Sequence, residues 1–274
     1  METGAGKDQE KPGKSQSGPA ACEIREMMKI TVLGCGTYMP EIDKATSSYL
    51  ARPGPQNLVF DIGRGSINNL LKAGLGVKDI DALFITHMHP DHCNDLLSLL
   101  HHTLNLGRRK TLMIYGPPGT RKAIEAVRKI LKIGPKQHIA LKDLRDRDKV
   151  EAKGWLVSCF AVKHSTKMKS LAYRLESGGK VFAYTGDCED CKKMREAIKD
   201  ADLAIIEANF AGARAGKGHL TAEQAAKAAD ESGVKRLVLT HIDPHHRKTL
   251  DKRKVKALFA GTTEMAEDLK EFRI

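Results

Sequence analysis

A ten-residue stretch, THMHPDHCND at 86–95, contains three histidines and two aspartates directly after the apolar run ALFI at 82–85. An apolar run of this length predicts a short buried strand. Imidazole and carboxylate groups crowded at the end of a strand are typical of a transition-metal site, and Zn²⁺ prefers these ligands. The alternative is a polar, histidine-rich turn that binds no metal. The density and order of the donors favour the metal site.

The spacing of the donors predicts the direction in which their side chains point. Alternate residues of an extended segment point to the same side, so His87, His89 and Asp91 are predicted to converge, while His92 turns with the chain. Four donors at this spacing suit a pair of cations better than one.

Three further donors each follow an apolar strand pattern. They are His164 in FAVKHS, Asp187 in FAYTGD and His241 in LVLTH. A single histidine at a strand end is more often a structural residue than a ligand. Together with the four donors of the first stretch, however, they make a set of seven, which favours a metal role for all of them.

The chain has 274 residues, of which 41% are hydrophobic, and this suits one large globular domain. Residues 1–27 are rich in Gly, Pro, Ser, Lys and Gln, which predicts a flexible tail, and residues 28–274 are predicted to form a single α/β domain. Strands are predicted at 29–34, 48–53, 58–63, 82–87, 111–116, 155–165, 170–177, 181–187, 201–210 and 236–241, and helices at 65–74, 95–107, 119–134 and 221–233.

The charge is strongly basic. Lys and Arg exceed Asp and Glu by 12, and residues 1–27 hold four basic and five acidic side chains, so the predicted domain carries +13. Such an excess favours polyanionic partners, although solubility accounts for it equally well. Basic runs at 108–110, 142–149 and 245–256, with Lys163, Lys167 and Lys169, could line a rim that binds phosphates.

The remaining features indicate a cytoplasmic protein. No apolar stretch is long enough to cross a membrane, and the N-terminus has no secretory signal. Six cysteines with irregular spacing predict reduced thiols. The CEDC stretch at 188–191 follows Asp187, and it is interpreted as two ordinary cysteines, with a redox or third-metal site as the alternative.

These motifs resemble the metallo-β-lactamase superfamily over essentially all of residues 28–274. FDIG with Asp61, THMHPDH, His164, TGD with Asp187 and THI with His241 follow the superfamily motifs in order. The resemblance implies a four-layer αβ/βα metallo-β-lactamase sandwich with a dinuclear site between two sheets. It assigns His87, His89 and His164 to one metal, Asp91, His92 and His241 to the other, and Asp187 to both. Asp61 would support the ligand loop without binding metal.

Within the superfamily, EANF at 207–210 and GHLTAEQAA at 218–226 look most like ribonuclease Z. This resemblance implies that His219 protonates the leaving group and that Glu207 holds its imidazole. In two-metal hydrolysis, Asp91 is placed to orient the attacking water or to accept its proton. Alternatively, His219 merely precedes a helix that Thr221 caps. Only 23 residues separate His164 from Asp187, which predicts a hairpin there without the long tRNA-gripping arm of bacterial ribonuclease Z.

The sequence therefore predicts a hydrolase with two Zn²⁺ ions, or Mn²⁺ or Fe, that cleaves RNA or small phosphodiesters. Without the arm, tRNA would need another basic surface. The alternatives are a hydrolase of β-lactams, lactones or thioesters on the same metals, and a non-catalytic nucleic-acid-binding scaffold. The resemblance also implies a homodimer, and the lack of a long apolar stretch predicts no membrane partner.

Overall fold

The protein is described by a computed structural model that covers residues 1–2, 27–105, 110–133, 138–212 and 215–274. The predicted tail therefore lies almost wholly outside the described residues, as do Cys22 and the predicted helix end at Gly107. No helix among the described residues is long and apolar enough to cross a membrane. The cytoplasmic location and the homodimer stay predictions.

The described residues form fourteen strands, eight α-helices and one short 3₁₀ helix at Val77–Asp79. The strands are β1 Lys29–Gly34, β2 Ser48–Arg52, β3 Leu58–Phe60, β4 Ala82–Phe84, β5 Leu112–Gly116, β6 Ile139–Asp143, β7 Lys149–Ala152, β8 Trp155–Val162, β9 Ser170–Ser177, β10 Lys180–Tyr184, β11 Leu203–Glu207, β12 Arg236–Thr240, β13 Thr262–Met265 and β14 Glu271–Arg273. The helices are α1 Ser66–Lys72, α2 Pro90–Cys93, α3 Leu96–Asn105, α4 Thr120–Ile130, α5 Lys192–Ile198, α6 Ala222–Glu231, α7 Pro244–Arg247 and α8 Lys252–Leu258.

Two mixed sheets of seven strands make up the middle of the molecule. The first has the order β14-β1-β2-β3-β4-β5-β6, and the second has the order β13-β12-β11-β10-β9-β8-β7. Each sheet has a run of parallel strands, β3 to β6 in the first and β10 to β13 in the second. The carboxyl ends of parallel strands meet at one edge of a sheet, and this is where the predicted ligands follow the strands.

Aromatic side chains from both sheets fill the space between them. Phe60 of the first sheet lies 5.6 Å, centroid to centroid, from Phe182 of the second and 5.8 Å from Tyr173. The outer face of the first sheet packs on α1, α3 and α4, and that of the second on α5, α6 and α8. Helices, sheet, sheet and helices form four layers, so the predicted αβ/βα sandwich is confirmed.

Every predicted strand and helix is present, usually shorter than predicted. The hairpin of β9 and β10 closes at residues 178–179, so the prediction of a hairpin without an arm is confirmed. Eight of the strands and α-helices were not predicted: β6, β7, β13, β14, α2, α5, α7 and α8. The helices α7 and α8 overlap the basic run at 245–256.

Candidate metal and catalytic site

The seven predicted donors meet at the carboxyl edge of the two sheets and form two groups. Each group brings one nitrogen or oxygen of every member within 4.8 Å of the others. The first group is His87, His89, His164 and Asp187, and the second is Asp91, His92, Asp187 and His241. Asp187 is common to both.

Three imidazoles of the first group converge on one point. Nδ1 of His89 lies 2.9 Å from Nε2 of His87 and 3.0 Å from Nε2 of His164. Burial, and then the neighbouring His92, lower the pKa of His87 well below its usual value. A neutral imidazole with a free nitrogen is the form that binds a metal ion.

The second group combines the loop after β4 with the end of β12. Nε2 of His241 lies 3.1 Å from Oδ2 of Asp91, and Nε2 of His92 lies 3.8 Å from the same oxygen. The prediction that Asp91 faces the same side as His87 and His89 was wrong. Pro90 starts the helix α2, with its ring at the first position, and the helical turn carries Asp91 toward His92 instead.

Asp187 divides its two oxygens between the groups. Oδ2 lies 3.9 Å from Nε2 of His87 and 4.0 Å from Nε2 of His164. Oδ1 lies 3.2 Å from Nε2 of His92 and 3.5 Å from Nε2 of His241. Burial opposes the charged form of this carboxyl, but the charges of His241 and His92 hold its pKa well below the usual value.

The donor set fits a divalent metal ion. Among the described residues, Nε2 of His92 and Oδ1 of Asp187 are buried and have no hydrogen-bond partner of acceptable geometry. A buried polar atom without a partner costs about 1–3 kcal/mol, so such atoms call for a ligand. Imidazole nitrogen and carboxylate oxygen are the donors that Zn²⁺, Mn²⁺ and Fe accept.

Asp61 supports the loop that carries the first donors. Its buried carboxylate accepts hydrogen bonds of 2.7 Å from the N–H of Thr86, 2.7 Å from the hydroxyl of Thr86 and 2.8 Å from the hydroxyl of Tyr184. It also lies 2.7 Å from Nδ1 of His92. An N–H at Nδ1 that faces the carboxylate leaves Nε2 of His92 free for a metal.

Neutral groups support His164 and His241. Nδ1 of His164 donates to the carbonyl of Gly218 at 2.8 Å, which leaves Nε2 free. The side-chain amide of Asn209 lies 3.1 Å from Nδ1 of His241. The same amide nitrogen donates to the backbone carbonyl of His241 at 3.4 Å, so Asn209 contacts both the ring and the backbone of this residue.

The backbone of Gly218 lies against His164, and this position requires glycine. Its φ is +85°, which other L residues rarely adopt, and a Cβ here would lie 2.2 Å from the carbonyl oxygen of His164. Its N–H donates to Glu189 at 2.9 Å. Only glycine therefore lets the segment before His219 lie against His164.

Glu207 and His219 form a pair beside the two groups. Nδ1 of His219 lies 2.9 Å from Oε1 of Glu207, and the Glu207 carboxylate accepts 3.0 Å hydrogen bonds from the N–H groups of Cys188 and Asn209. Burial disfavours the imidazolium, but the hydrogen bond and charge of Glu207 raise the pKa of His219 to about 9. This raised pKa favours the protonated imidazole of His219 at neutral pH.

The first group and His219 lie nearer to solvent than the second group, because His89, His164 and His219 are partly buried whereas all four members of the second group are buried. The His219 side chain is 20% exposed, whereas those of Glu207 and His92 are buried. A cavity of about 280 Å³ next to Asp91 is lined by Tyr38, Thr46, Arg64, Pro90, Asp91 and Asn94. The ring of His246 lies 4.9 Å from that of Phe210, which in turn lies 6.1 Å from that of His219.

The sequence model described as "Beta-lactamase superfamily domain" matches residues 57–242, which is more than half of the chain and holds every donor described above. The chain belongs to the beta-lactamase superfamily. This superfamily member is similar to a protein named ribonuclease Z of Methanosarcina acetivorans, with 29% identity over 90% of this chain and 98% of that protein.

Two solved structures share the fold. The metallo-beta-lactamase fold protein YhfI from Bacillus subtilis superposes with a TM-score of 0.79 and 25% identity, covering 90% of this chain and 99% of the other. The short form of human tRNase Z superposes with a TM-score of 0.73 and 24% identity, covering 89% and 98%.

Sequence reasoning missed the supporting residues Thr86, Tyr184, Asn209 and Gly218. Asn209 and Gly218 lie within stretches that were compared with ribonuclease Z, but their partners His241 and His164 are 32 and 54 residues away. No local pattern signals such a contact. The CEDC cysteines are free thiols, as predicted, with Cys188 buried and Cys191 partly buried.

Proposed function

We propose that this protein is a metal-dependent phosphodiesterase that cleaves RNA, using two divalent metal ions that share Asp187. The observation that carries the proposal is the division of the Asp187 oxygens, one toward His87 and His164 and the other toward His92 and His241. The similarity to proteins named ribonuclease Z supports RNA as the substrate.

We assign one metal to His87, His89, His164 and Asp187, and the other to Asp91, His92, Asp187 and His241. Zn²⁺ is the proposed ion, and Mn²⁺ or Fe would also suit this donor set. When bound, two such ions lower the pKa of water and stabilise negative charge on a phosphoryl oxygen.

Residues of the chain handle the protons of the reaction. Water attacks phosphorus, the bond from phosphorus to the leaving ribose oxygen breaks, and that oxygen needs a proton. His219 donates it, while Glu207 keeps the imidazole in position through Nδ1. Asp91 orients the attacking water and accepts the proton that this water loses.

Turnover of two substrates by the purified protein tests the proposal. We expect Zn²⁺- or Mn²⁺-loaded protein to cleave bis(p-nitrophenyl) phosphate and an RNA with a 3′ extension, and excess EDTA to abolish both activities. Absence of phosphodiester cleavage with either metal would refute the proposal. RNA binding without any cleavage would instead support the scaffold alternative.

Testing further substrates distinguishes the alternative function, which is hydrolysis of a carbonyl compound. A β-lactam, a lactone and a thioester are hydrolysed through a carbonyl carbon, and nothing at the site favours them over a phosphodiester. Turnover of a chromogenic cephalosporin or a lactone that survives His219→Ala would favour that function, since the Glu207–His219 pair would then have no part in the reaction.

A further inference from the structure

We propose that α7 and α8 present a basic ridge that binds the phosphate backbone of the RNA substrate beside the metal site. The basic ridge consists of Arg247, Lys248, Lys252, Arg253, Lys254 and Lys256. The inference rests on the proposed function, because it assigns a binding surface to the same substrate.

The ridge begins at the metal site. His241, a proposed ligand, is followed after two residues by α7, and the guanidinium of Arg247 donates to the carbonyl of Ile242 at 3.2 Å. A cavity of about 280 Å³ is lined by His241 together with Lys44, Arg247 and Lys252. Cations of the ridge therefore share one cavity wall with a residue of the second metal group.

Most of the positive charge on the ridge is not neutralised by the protein. Arg247 pairs with Glu41 at 2.7 Å, and the 96% exposed side chain of Arg253 lies 3.8 Å from Asp251. Lys248, Lys252, Lys254 and Lys256 have exposed side chains and no ion pair with any described residue. Asp251, the one acid between 245 and 256, accepts hydrogen bonds from the N–H groups of Arg253 and Lys254.

Folding does not account for these cations. Lys252, Arg253 and Lys254 occupy the first turn of α8, where positive charge opposes the helix dipole. Val255 is the only buried residue of the helix. It belongs to the hydrophobic cluster between the outer face of the second sheet and α6. Five exposed cations next to the proposed phosphodiester site match a polyanion, and each phosphate contact would release counterions.

The ridge has a matched control surface. Lys142, Lys149 and Lys153 are equally exposed, and the first two belong to a basic run that was also predicted for the rim, but they lie on or next to β6 and β7. The helix α8 instead lies beside β13, and residues of both line a second cavity. β7 and β13 are the opposite edges of the second sheet, six strand spacings or about 28 Å apart. A charge effect that reflects only net charge would be the same on both surfaces.

The experiment compares two triple variants of the full chain, loaded with Zn²⁺. One is Arg253→Gln, Lys254→Gln and Lys256→Gln, and the other is Lys142→Gln, Lys149→Gln and Lys153→Gln. Binding of a labelled hairpin RNA with a 3′ extension is followed by fluorescence anisotropy over a range of salt concentrations, in a His219→Ala background that slows cleavage. Zinc content and Tm of each variant report folding.

We expect the ridge variant to bind RNA at least tenfold more weakly, with a slope of log affinity against log salt that is shallower by about 2–3. The control variant should keep the parent slope. Equal slopes for the two variants would refute the proposal that the ridge binds RNA. It would also be refuted if the ridge substitutions weakened binding to phosphatidylglycerol vesicles but left binding to RNA unchanged. Because binding is measured separately from cleavage, an inactive enzyme would refute the proposed function without deciding this test.

Discussion

The two halves of the molecule supply the site in different ways. The first sheet contributes His87, His89, Asp91 and His92 from one segment of six residues after β4. The second sheet contributes one residue from each of several strand ends: His164 after β8, Asp187 after β10 and His241 after β12. One half builds its donors locally, and the other depends on the order of its strands.

The residues that hold the donors in place also differ between the two halves. One buried carboxylate, Asp61, holds Thr86 and His92 of the first half, and it also reaches Tyr184 of the second sheet. In the second half, the Gly218 carbonyl and the Asn209 amide each hold one histidine. We infer that the first half depends on a single charge, whereas the second spreads its support over neutral groups.

Loss of Asp187 should have the largest effect, because it is the donor common to both groups. We expect Asp187→Ala to lose both metals and at least about 10³-fold in kcat, since metal stabilisation of the transition state is worth several kcal/mol. Asp91→Ala should retain the metal of the first group. Zinc stoichiometry by mass spectrometry measures this difference, and equal metal loss in the two variants would contradict a shared role for Asp187.

Loss of His219 should have the second-largest effect on activity, and the protein should keep its metal ions. We expect His219→Ala to lower kcat for RNA by about 10²–10⁴-fold, the usual contribution of a general acid. The loss should be smaller for bis(p-nitrophenyl) phosphate, because nitrophenolate is a stable anion that needs no proton. His245→Ala, which removes a nearby exposed imidazole, serves as the control; an identical loss on both substrates would rule out proton donation.

Asp61→Asn should destabilise the loop that carries the donors of the first half. An amide cannot accept from all the groups that Asp61 now binds, and the buried donors of Thr86 and His92 would lose partners. We expect the free energy of unfolding to fall by about 2–4 kcal/mol and zinc affinity by about 10–100-fold. Urea denaturation and competition with a zinc chelator measure the two losses.

Asn209→Ala should have the smallest effect, since it removes one neutral contact to His241. We expect about 1 kcal/mol in unfolding free energy and no more than about tenfold in zinc affinity. The same two measurements apply. Losses as large as those of Asp61→Asn would contradict the difference between the two halves.

The local half of the site was the easier one to predict. The donors after β4 stand together in the sequence, and only the side to which Asp91 turns was predicted wrongly, because the helical turn at Pro90 was not foreseen. The donors of the second half were recognised by their place after apolar strands. Their grouping came from a family resemblance, since strand order cannot be worked out from residue spacing alone.

Several of the elements that were not predicted bury few hydrophobic residues. β7 is an edge strand with one buried residue, Val150, and β6 has no buried residue. α8 likewise has only one buried residue, Val255, so its sequence lacks the hydrophobic pattern of a helix and resembles that of a basic loop. β6 and β7 are stabilised by pairing with β5 and β8, and α8 by packing of Val255 near α6, and the local sequence does not encode these partners.

The short hairpin between β9 and β10 offers a place to attach the protein to a support. Its turn at 178–179 lies at the start of β10, whereas Asp187 follows the end of that strand. A linker or fluorophore inserted in the turn would therefore leave the reacting end of the sheet facing solution. Surface-immobilised or dye-labelled protein prepared in this way would allow single RNA molecules to be observed as they arrive and leave.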